Sequence, residues 1–229
     1  FDIALVKRHP GMNMRISDLD HVGGIIGFAQ LDQRLHRLPG GITRSKYYGN
    51  QRAKDLSIRG VGGEGIGVFM IYGNRESSSG GPFFRDIQNQ SGGEVEVYNY
   101  MNSGHAQTEA KRSGVLYGPY ALCFTDGDAP ELPDLDLGAE IKIEGWVPRN
   151  RRGEVVIGEI TGLDPEFSYT LGFANETAQY WAGIAVPGGE VACSGMKPGR
   201  YRMTIYKGEL AVLEEEVSVM ARRTTRIAR

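Results

Sequence analysis

The feature that most restricts the fold is a series of short apolar alternations, evenly spaced, in the last third of the chain. Phe167, Tyr169, Leu171 and Phe173 alternate cleanly, and so do Tyr180, Ala182, Ile184 and Val186. Tyr201, Met203 and Ile205 lead into Lys207-Gly208, and Leu210 and Val212 begin a run that continues to Val219. A period of two places one set of side chains on one face of a strand. Lys207-Gly208 reads as the turn of a hairpin. With Ile141, Ile143 and Val147, and Val155-Val156-Ile157 between Gly153 and Gly158, about seven strands fall in ~85 residues. That spacing predicts an immunoglobulin-like sandwich. It carries no catalytic constellation, so its default role is support or binding.

The upstream part is also β in character. Gly67 to Tyr72 is a continuous apolar run, as expected of a buried strand, and it enters a long polar loop from Gly73 to Pro82. Tyr117 to Phe124 reads as a strand that ends in the turn Thr125-Asp126-Gly127-Asp128. Ala129-Pro130-Glu131-Leu132-Pro133-Asp134 has linker composition. The expected organisation is therefore all-β: a first unit over 1–130, a linker over 131–139, the sandwich over 140–221, and a basic tail over 222–229. The chain has 33 Gly and 10 Pro among 229 residues and no evident long amphipathic helix, which favours short strands and many turns. Phe1 to Leu38 is the least informative stretch, with Ile3 to Val6 a candidate strand.

Composition excludes several classes. Hydrophobic content of 40% and charged content of 24% suit a packed core and argue against disorder. A net charge of −2 implies neither a nucleic-acid partner nor a membrane surface. No apolar run approaches the ~20 residues that span a bilayer. The chain has no initiator Met and no signal peptide, and it reads as a piece of a longer polypeptide. Cys123 sits in an apolar run where a buried thiol is expected, and Cys193 in a turn-rich stretch. A disulfide between them would join two domains, and neither spacing suggests a metal.

Two segments carry candidate chemistry. From Val95 to Thr108, strand alternation puts Tyr98 and Tyr100 on one face, then breaks at Asn102-Ser103-Gly104, with His105 immediately after. Two rings leading into a histidine held by a turn can form the wall and the acid–base group of a sugar site, although such residues are more often structural. From Leu38 to Asn50, a turn precedes a basic-aromatic run in which Arg44 and Lys46 share a strand face beside Tyr48. Cations beside aromatic rings suit an anionic sugar; an exposed basic loop is the plainer alternative. The glycines from Gly73 to Pro82 lack the Gly-Lys-Ser/Thr ending of a phosphate loop. Glu76, Asp86 and Glu109 can supply the acid pair of a glycoside hydrolase, or can pair Arg75, Arg85 and Arg112. Asp18, Asp20 and His21 are more simply solvated than metal-ligating.

Several runs resemble fungal rhamnogalacturonan lyases of polysaccharide lyase family 4. They are Gly41-Ile-Thr-Arg-Ser-Lys-Tyr-Tyr48, Glu76-Ser-Ser-Ser-Gly-Gly-Pro-Phe-Phe-Arg-Asp-Ile87, Tyr100-Met-Asn-Ser-Gly-His-Ala-Gln-Thr-Glu109 and Gly118-Pro-Tyr-Ala-Leu122. Met196-Lys-Pro-Gly199 and Tyr206-Lys-Gly-Glu-Leu-Ala-Val212 are similar to that family's fibronectin-III-like second domain. The resemblance runs from about Pro39 to Val219. It implies the C-terminal part of a large catalytic β-sandwich followed by the fibronectin-like domain. It also implies secretion, endo-acting cleavage of the rhamnogalacturonan I backbone of pectin, a monomer, and no cofactor or metal.

The resemblance also assigns roles. Lys46 and His105 correspond to the family's two proposed catalytic residues, and Tyr98 and Tyr100 to its cleft tyrosines; Arg44 is placed with the substrate-binding groups. The family's upstream arginine for the substrate carboxylate is not assigned to a particular residue of this sequence. Part of the catalytic sandwich is missing before Phe1, and a C-terminal jelly roll is missing after Arg229, which makes the basic tail an expected artefact of truncation. β-Elimination needs a base for the C5 proton of galacturonic acid, a cation for the enolate-like intermediate and an acid for the leaving O4. His, near 6.5, serves as either base or acid; Lys, near 10.4, must be depressed to act as base, and Arg44 nearby favours this. The family's assignment makes Lys46 the base and His105 the acid, and the reverse satisfies the same chemistry. A non-catalytic carbohydrate-binding fragment and a hydrolase remain the alternatives.

Overall fold

The structure is a computed structural model, and it describes residues 35–37, 43–45, 52–63, 65–73, 75–84, 90–91, 95–96 and 108–228. Of the predicted site residues, Lys46, Tyr98, Tyr100 and His105 lie outside the described residues.

The described residues of the first unit form three small antiparallel sheets. β1 (Leu35–Arg37) pairs β2 (Thr43–Ser45), with His36 opposite Arg44. β3 (Ile58–Gly63) and β4 (Ile66–Ile71) form a hairpin. β5 (Gln90–Ser91) pairs β6 (Val95–Glu96). β7 (Ala121–Thr125) adds to the free side of β4, giving the order β3-β4-β7. The expected buried strand is β4: Val68, Phe69 and Ile71 are at most 2% exposed. β7 starts later than expected, and Cys123 on it is only half-buried; both cysteines are free thiols. The turn after β7 forms as predicted, with the Gly127 N–H donating to Thr125 Oγ1 at 3.2 Å and Thr125 Oγ1 donating to the Asp128 carbonyl at 2.7 Å.

The second unit has seven strands: β8 (Gly153–Ile157), β9 (Tyr169–Ala174), β10 (Gln179–Ile184), β11 (Val191–Met196), β12 (Gly199–Lys207), β13 (Leu210–Val219) and β14 (Thr224–Ile227). They form two sheets, β10-β9-β12-β13 and β11-β8-β14, packed face to face as in a fibronectin-type sandwich. Val155, Ile157, Leu171, Phe173, Met196, Tyr201 and Met203 fill the core, each at most 2% exposed. Burying an aliphatic or aromatic side chain of this size stabilises by roughly 1.5–3 kcal/mol. Among the described residues, no sheet mixes strands from the two units.

The sandwich departs from the sequence expectation at both ends. Residues 141–147 form no strand, and Ile143 is 46% exposed. Gly138 just before that stretch and Gly145 within it have φ of 82° and 83°, and the Trp146 N–H closes a turn onto the Ile143 carbonyl at 3.0 Å. The seventh strand comes instead from the segment expected to be a basic tail. β14 lies parallel to β8, with Ile227 packed on the core. The Gly158 N–H donates to the Ile227 carbonyl at 2.9 Å, and the Glu154 N–H donates to the Arg223 carbonyl at 3.0 Å. Gly153 is needed here, since a Cβ would collide with the Met220 carbonyl.

The outer face of the four-stranded sheet is covered along β9, while β13 at its edge stays largely exposed. Every residue of β9 is buried, although its sequence alternates. The covering element is the loop after β4. Phe83 meets Tyr206 edge to face at 5.0 Å and 82°, and both rings are buried.

Candidate functional site

The loop of residues 75–84, which contains the Glu76-Ser-Ser-Ser-Gly-Gly-Pro run, is the meeting point of the two units. Glu76 is 1% exposed and accepts from Arg152 Nη1 at 2.6 Å, Arg152 Nη2 at 3.2 Å and the Tyr180 hydroxyl at 2.7 Å. Lys197 Nζ lies 3.0 Å from its other oxygen. Arg152 is itself fixed, donating to the carbonyls of Val147 at 2.7 Å and Gly195 at 2.9 Å. Burial alone pushes the Glu76 carboxyl up, but Arg152, Lys197 and Tyr180 together hold it below the usual carboxylate range. The same charge, after burial, pushes the Tyr180 phenol up.

A second cluster ties the loop to β10. Gln179 is 1% exposed; its Oε1 accepts from the Gly81 N–H at 3.1 Å and from Arg112 Nη1 at 3.0 Å. Its Nε2 donates to Ser78 Oγ at 2.9 Å, and its backbone N–H to the Glu76 carbonyl at 2.7 Å. Arg112 also donates to the carbonyls of Ser78, Asn175 and Ala178, each at 3.1 Å. A guanidinium that gathers three carbonyls and an amide oxygen works here as a fixed fork rather than as a free charge. Gly80 and Gly81, at φ of 84° and 76°, allow the tight approach. A Cβ on Gly81 would overlap Thr108, and one on Gly80 would overlap the Phe84 ring.

The loop also holds the described ends of both candidate segments. The Ala53 N–H donates to the Phe84 carbonyl at 2.8 Å and the Lys54 N–H to the Pro82 carbonyl at 2.9 Å, which anchors the chain seven residues beyond Lys46. The Thr108 N–H donates to the Gly80 carbonyl at 3.3 Å, and the Gly80 N–H to the Glu109 carbonyl at 3.1 Å, three and four residues beyond His105. Glu109 then reaches the second unit, accepting from Arg202 Nη2 at 2.6 Å with Arg112 at 3.8 Å. Burial pushes the Glu109 carboxyl above its ordinary value despite these two cations.

These contacts remove the acid pair of a hydrolase. Glu76 is enclosed by an arginine, a lysine and a phenol, and Glu109 is committed to two arginines. Arg112 is a partner of Glu109, as the sequence suggested, and Glu76 pairs with Arg152 and Lys197, which lie far from it in the chain. Asp86 lies outside the described residues, and of Arg44 the strand position is described but not the side chain. Arg152, Gln179 and Arg202 were not singled out by sequence, because nothing near them in the chain signals their partners. Lys197 had one signal, the Met-Lys-Pro-Gly run.

A fibronectin-type sandwich clamped by buried charge onto an adjoining β unit defines a multidomain β protein whose second domain braces the first. The comparisons place that architecture. Residues 33–145 match the family described as rhamnogalacturonan lyase B, N-terminal, and residues 151–227 match polysaccharide lyase family 4, domain II. The chain is 44% identical over 190 residues to the probable rhamnogalacturonate lyase A of Neosartorya fischeri, covering 82% of this chain and 35% of that protein. It is 40% identical over 190 residues to rhamnogalacturonate lyase A of Aspergillus aculeatus, covering 82% and 36%. It is 43% identical over 190 residues to a putative rhamnogalacturonase of Neurospora crassa, covering 81% and 35%. The chain belongs to polysaccharide lyase family 4. It spans about a third of the length of the curated relatives it matches.

Proposed function

We propose that this chain is part of a secreted, monomeric, endo-acting lyase. It would cleave the rhamnogalacturonan I backbone of pectin by β-elimination at galacturonic acid, leaving an unsaturated uronic acid end. The observation that carries the proposal is the 75–84 loop: it hydrogen-bonds the chain just beyond Lys46 at Ala53 and Lys54 and the chain just beyond His105 at Thr108 and Glu109. Two segments far apart in sequence thus share one support, as a composite active site requires.

In this reading the catalytic sandwich takes in residues 1–130 and continues beyond this chain, a linker covers 131–139, and the fibronectin-like domain follows. Lys46 takes the C5 proton, and His105 protonates the leaving O4. Arg44 meets the uronate carboxylate, while Tyr98 and Tyr100 stack on the sugar rings. A base at Lys46 requires a lowered affinity for protons, which the like charge of Arg44 two residues away favours. No cofactor is called for, because organic cations offset the carboxylate charge that otherwise opposes proton removal.

The test is product chemistry with the complete enzyme on rhamnogalacturonan. A lyase generates ultraviolet-absorbing unsaturated ends at the rate of chain scission. Reducing ends without that absorbance would instead indicate hydrolysis, and neither product would leave the chain as a binding module.

A further inference from the structure

The junction contains a cleft that the lyase proposal does not use. It has a volume of about 470 Å³, within the ~300–1,000 Å³ of small-molecule sites. Its walls include Trp146, Arg149, Asp134, Asp136, Leu132 and Pro119. Trp146 is half-buried and held in place. Its indole N–H donates to the Gly138 carbonyl at 3.1 Å, and the Arg152 guanidinium lies 5.2 Å from the ring centroid, itself anchored by Glu76. With the N–H already satisfied, the ring offers the cleft apolar surface in a fixed orientation, so little ordering cost remains for binding.

The polar rim consists of an exposed pair, Arg149 Nη2 to Asp134 Oδ1 at 2.6 Å, with Asp136 Oδ2 at 3.9 Å from Arg149 Nε. Asp134 and Asp136 are also oriented by Asx turns: the Asp136 N–H donates to Asp134 Oδ1 at 3.0 Å and the Gly138 N–H to Asp136 Oδ1 at 3.3 Å. Because Arg152 is neutralised by Glu76, two carboxylates share one arginine, Arg149, and leave the rim net negative. That balance repels an anion. A wholly apolar ligand would strand the two carboxylates, which is costly. A sugar ring satisfies both demands: its C–H face covers an indole, and its hydroxyls donate to carboxylates and accept from a guanidinium. An exposed ion pair contributes little by itself, so a hydroxyl inserts at small loss.

We propose that this cleft is a binding site for a short neutral saccharide, with Trp146 as its platform and Asp134 and Arg149 as its hydrogen-bonding rim. The proposal does not depend on the lyase reading, since binding alone reads it out.

The experiment is titration calorimetry and tryptophan fluorescence on the purified full chain. The probes are tetrasaccharides of galactose, arabinose and glucose, with tetragalacturonate as the anionic control. At least one neutral probe should bind and shift the fluorescence. Trp146→Ala should weaken that binding tenfold or more, and Trp146→Phe, which keeps a ring, by less. Asp134→Asn, at an exposed side chain that leaves folding intact, should weaken it several-fold. His105→Ala should leave it unchanged whatever happens to turnover, which separates this site from the lyase proposal. The proposal is overturned if no neutral probe binds the folded wild-type chain at millimolar concentration, if tetragalacturonate binds more tightly than the neutral probes, or if Asp134→Asn and a folded Trp146 variant bind like wild type.

Discussion

Glu76, in the loop after β4, and Arg152, at the entry to the sandwich, meet in a two-pronged ion pair of 2.6 and 3.2 Å with both side chains more than nine-tenths buried. The pair joins two units that share no sheet among the described residues. Buried charge of this kind confers little net stability when intact, but leaving one partner alone is expensive.

Glu76→Gln should therefore destabilise the folded chain by about 3–5 kcal/mol, because Arg152 and Lys197 lose their shared counter-charge in a dry site. The pH dependence follows from the sign of the shift. The folded carboxyl sits below the ordinary glutamate value, so its stabilisation is complete above that ordinary value and is lost as pH falls through the folded one. Urea unfolding at neutral and acid pH checks both points: wild type should weaken in acid, and Glu76→Gln should show a flatter acid limb.

Glu109→Gln should be far milder, at about 1 kcal/mol or less. Burial raises the Glu109 carboxyl above its ordinary value, so folding disfavours its charged form and the neutral isostere forfeits little. Its contribution has the opposite sign to that of Glu76: it is complete below the ordinary carboxylate value and is lost as pH rises through the raised folded one. A loss for Glu109→Gln equal to that for Glu76→Gln would contradict this ordering.

Gln179→Ala removes the partner of the Gly81 N–H, of Ser78 Oγ and of one Arg112 nitrogen in a buried site. Unsatisfied groups of this kind cost about 1–3 kcal/mol. Because the loop they hold also binds Ala53 and Thr108, turnover of the complete enzyme should fall by roughly tenfold in folded protein. A thermal melt run beside the ultraviolet assay distinguishes that from simple loss of folded material.

His105→Ala should reduce turnover by roughly 10²-fold or more and leave substrate affinity largely intact, as expected of a lost acid–base group. Tyr98→Phe should do less, since it keeps the ring and stacking is shared by ground and transition states. A purely structural His105 predicts a lowered melting temperature and normal turnover per folded molecule.

Deleting residues 220–229 should destabilise the sandwich strongly. The deletion removes β14, uncovers the edge of β8 and exposes the core side that Ile227 packs against. Far-UV circular dichroism with a thermal melt reads the loss; a melt unchanged from wild type would return this segment to the status of a tail.

Sequence alone determined the sandwich core and the hairpin. A period-two pattern such as Tyr201, Met203 and Ile205 is a local property, and it survived folding because those residues line the inner face of β12. The Glu76-to-Pro82 run was legible as a motif, and the structure gives its physical role: two glycines permit the close approach, and one carboxylate and one serine lock onto the other unit. What sequence could not determine were the partners. Arg152 is 76 residues from Glu76, and Gln179 is 98 from Gly81, and no periodicity links positions so distant. The same limit explains β9, whose alternation promises one solvated face that the docked loop instead buries. It also explains β14: Thr224, Thr225 and Arg226 look like a polar tail because an edge strand contributes a backbone ladder and one apolar contact, and only the neighbouring β8 makes that ladder worth forming.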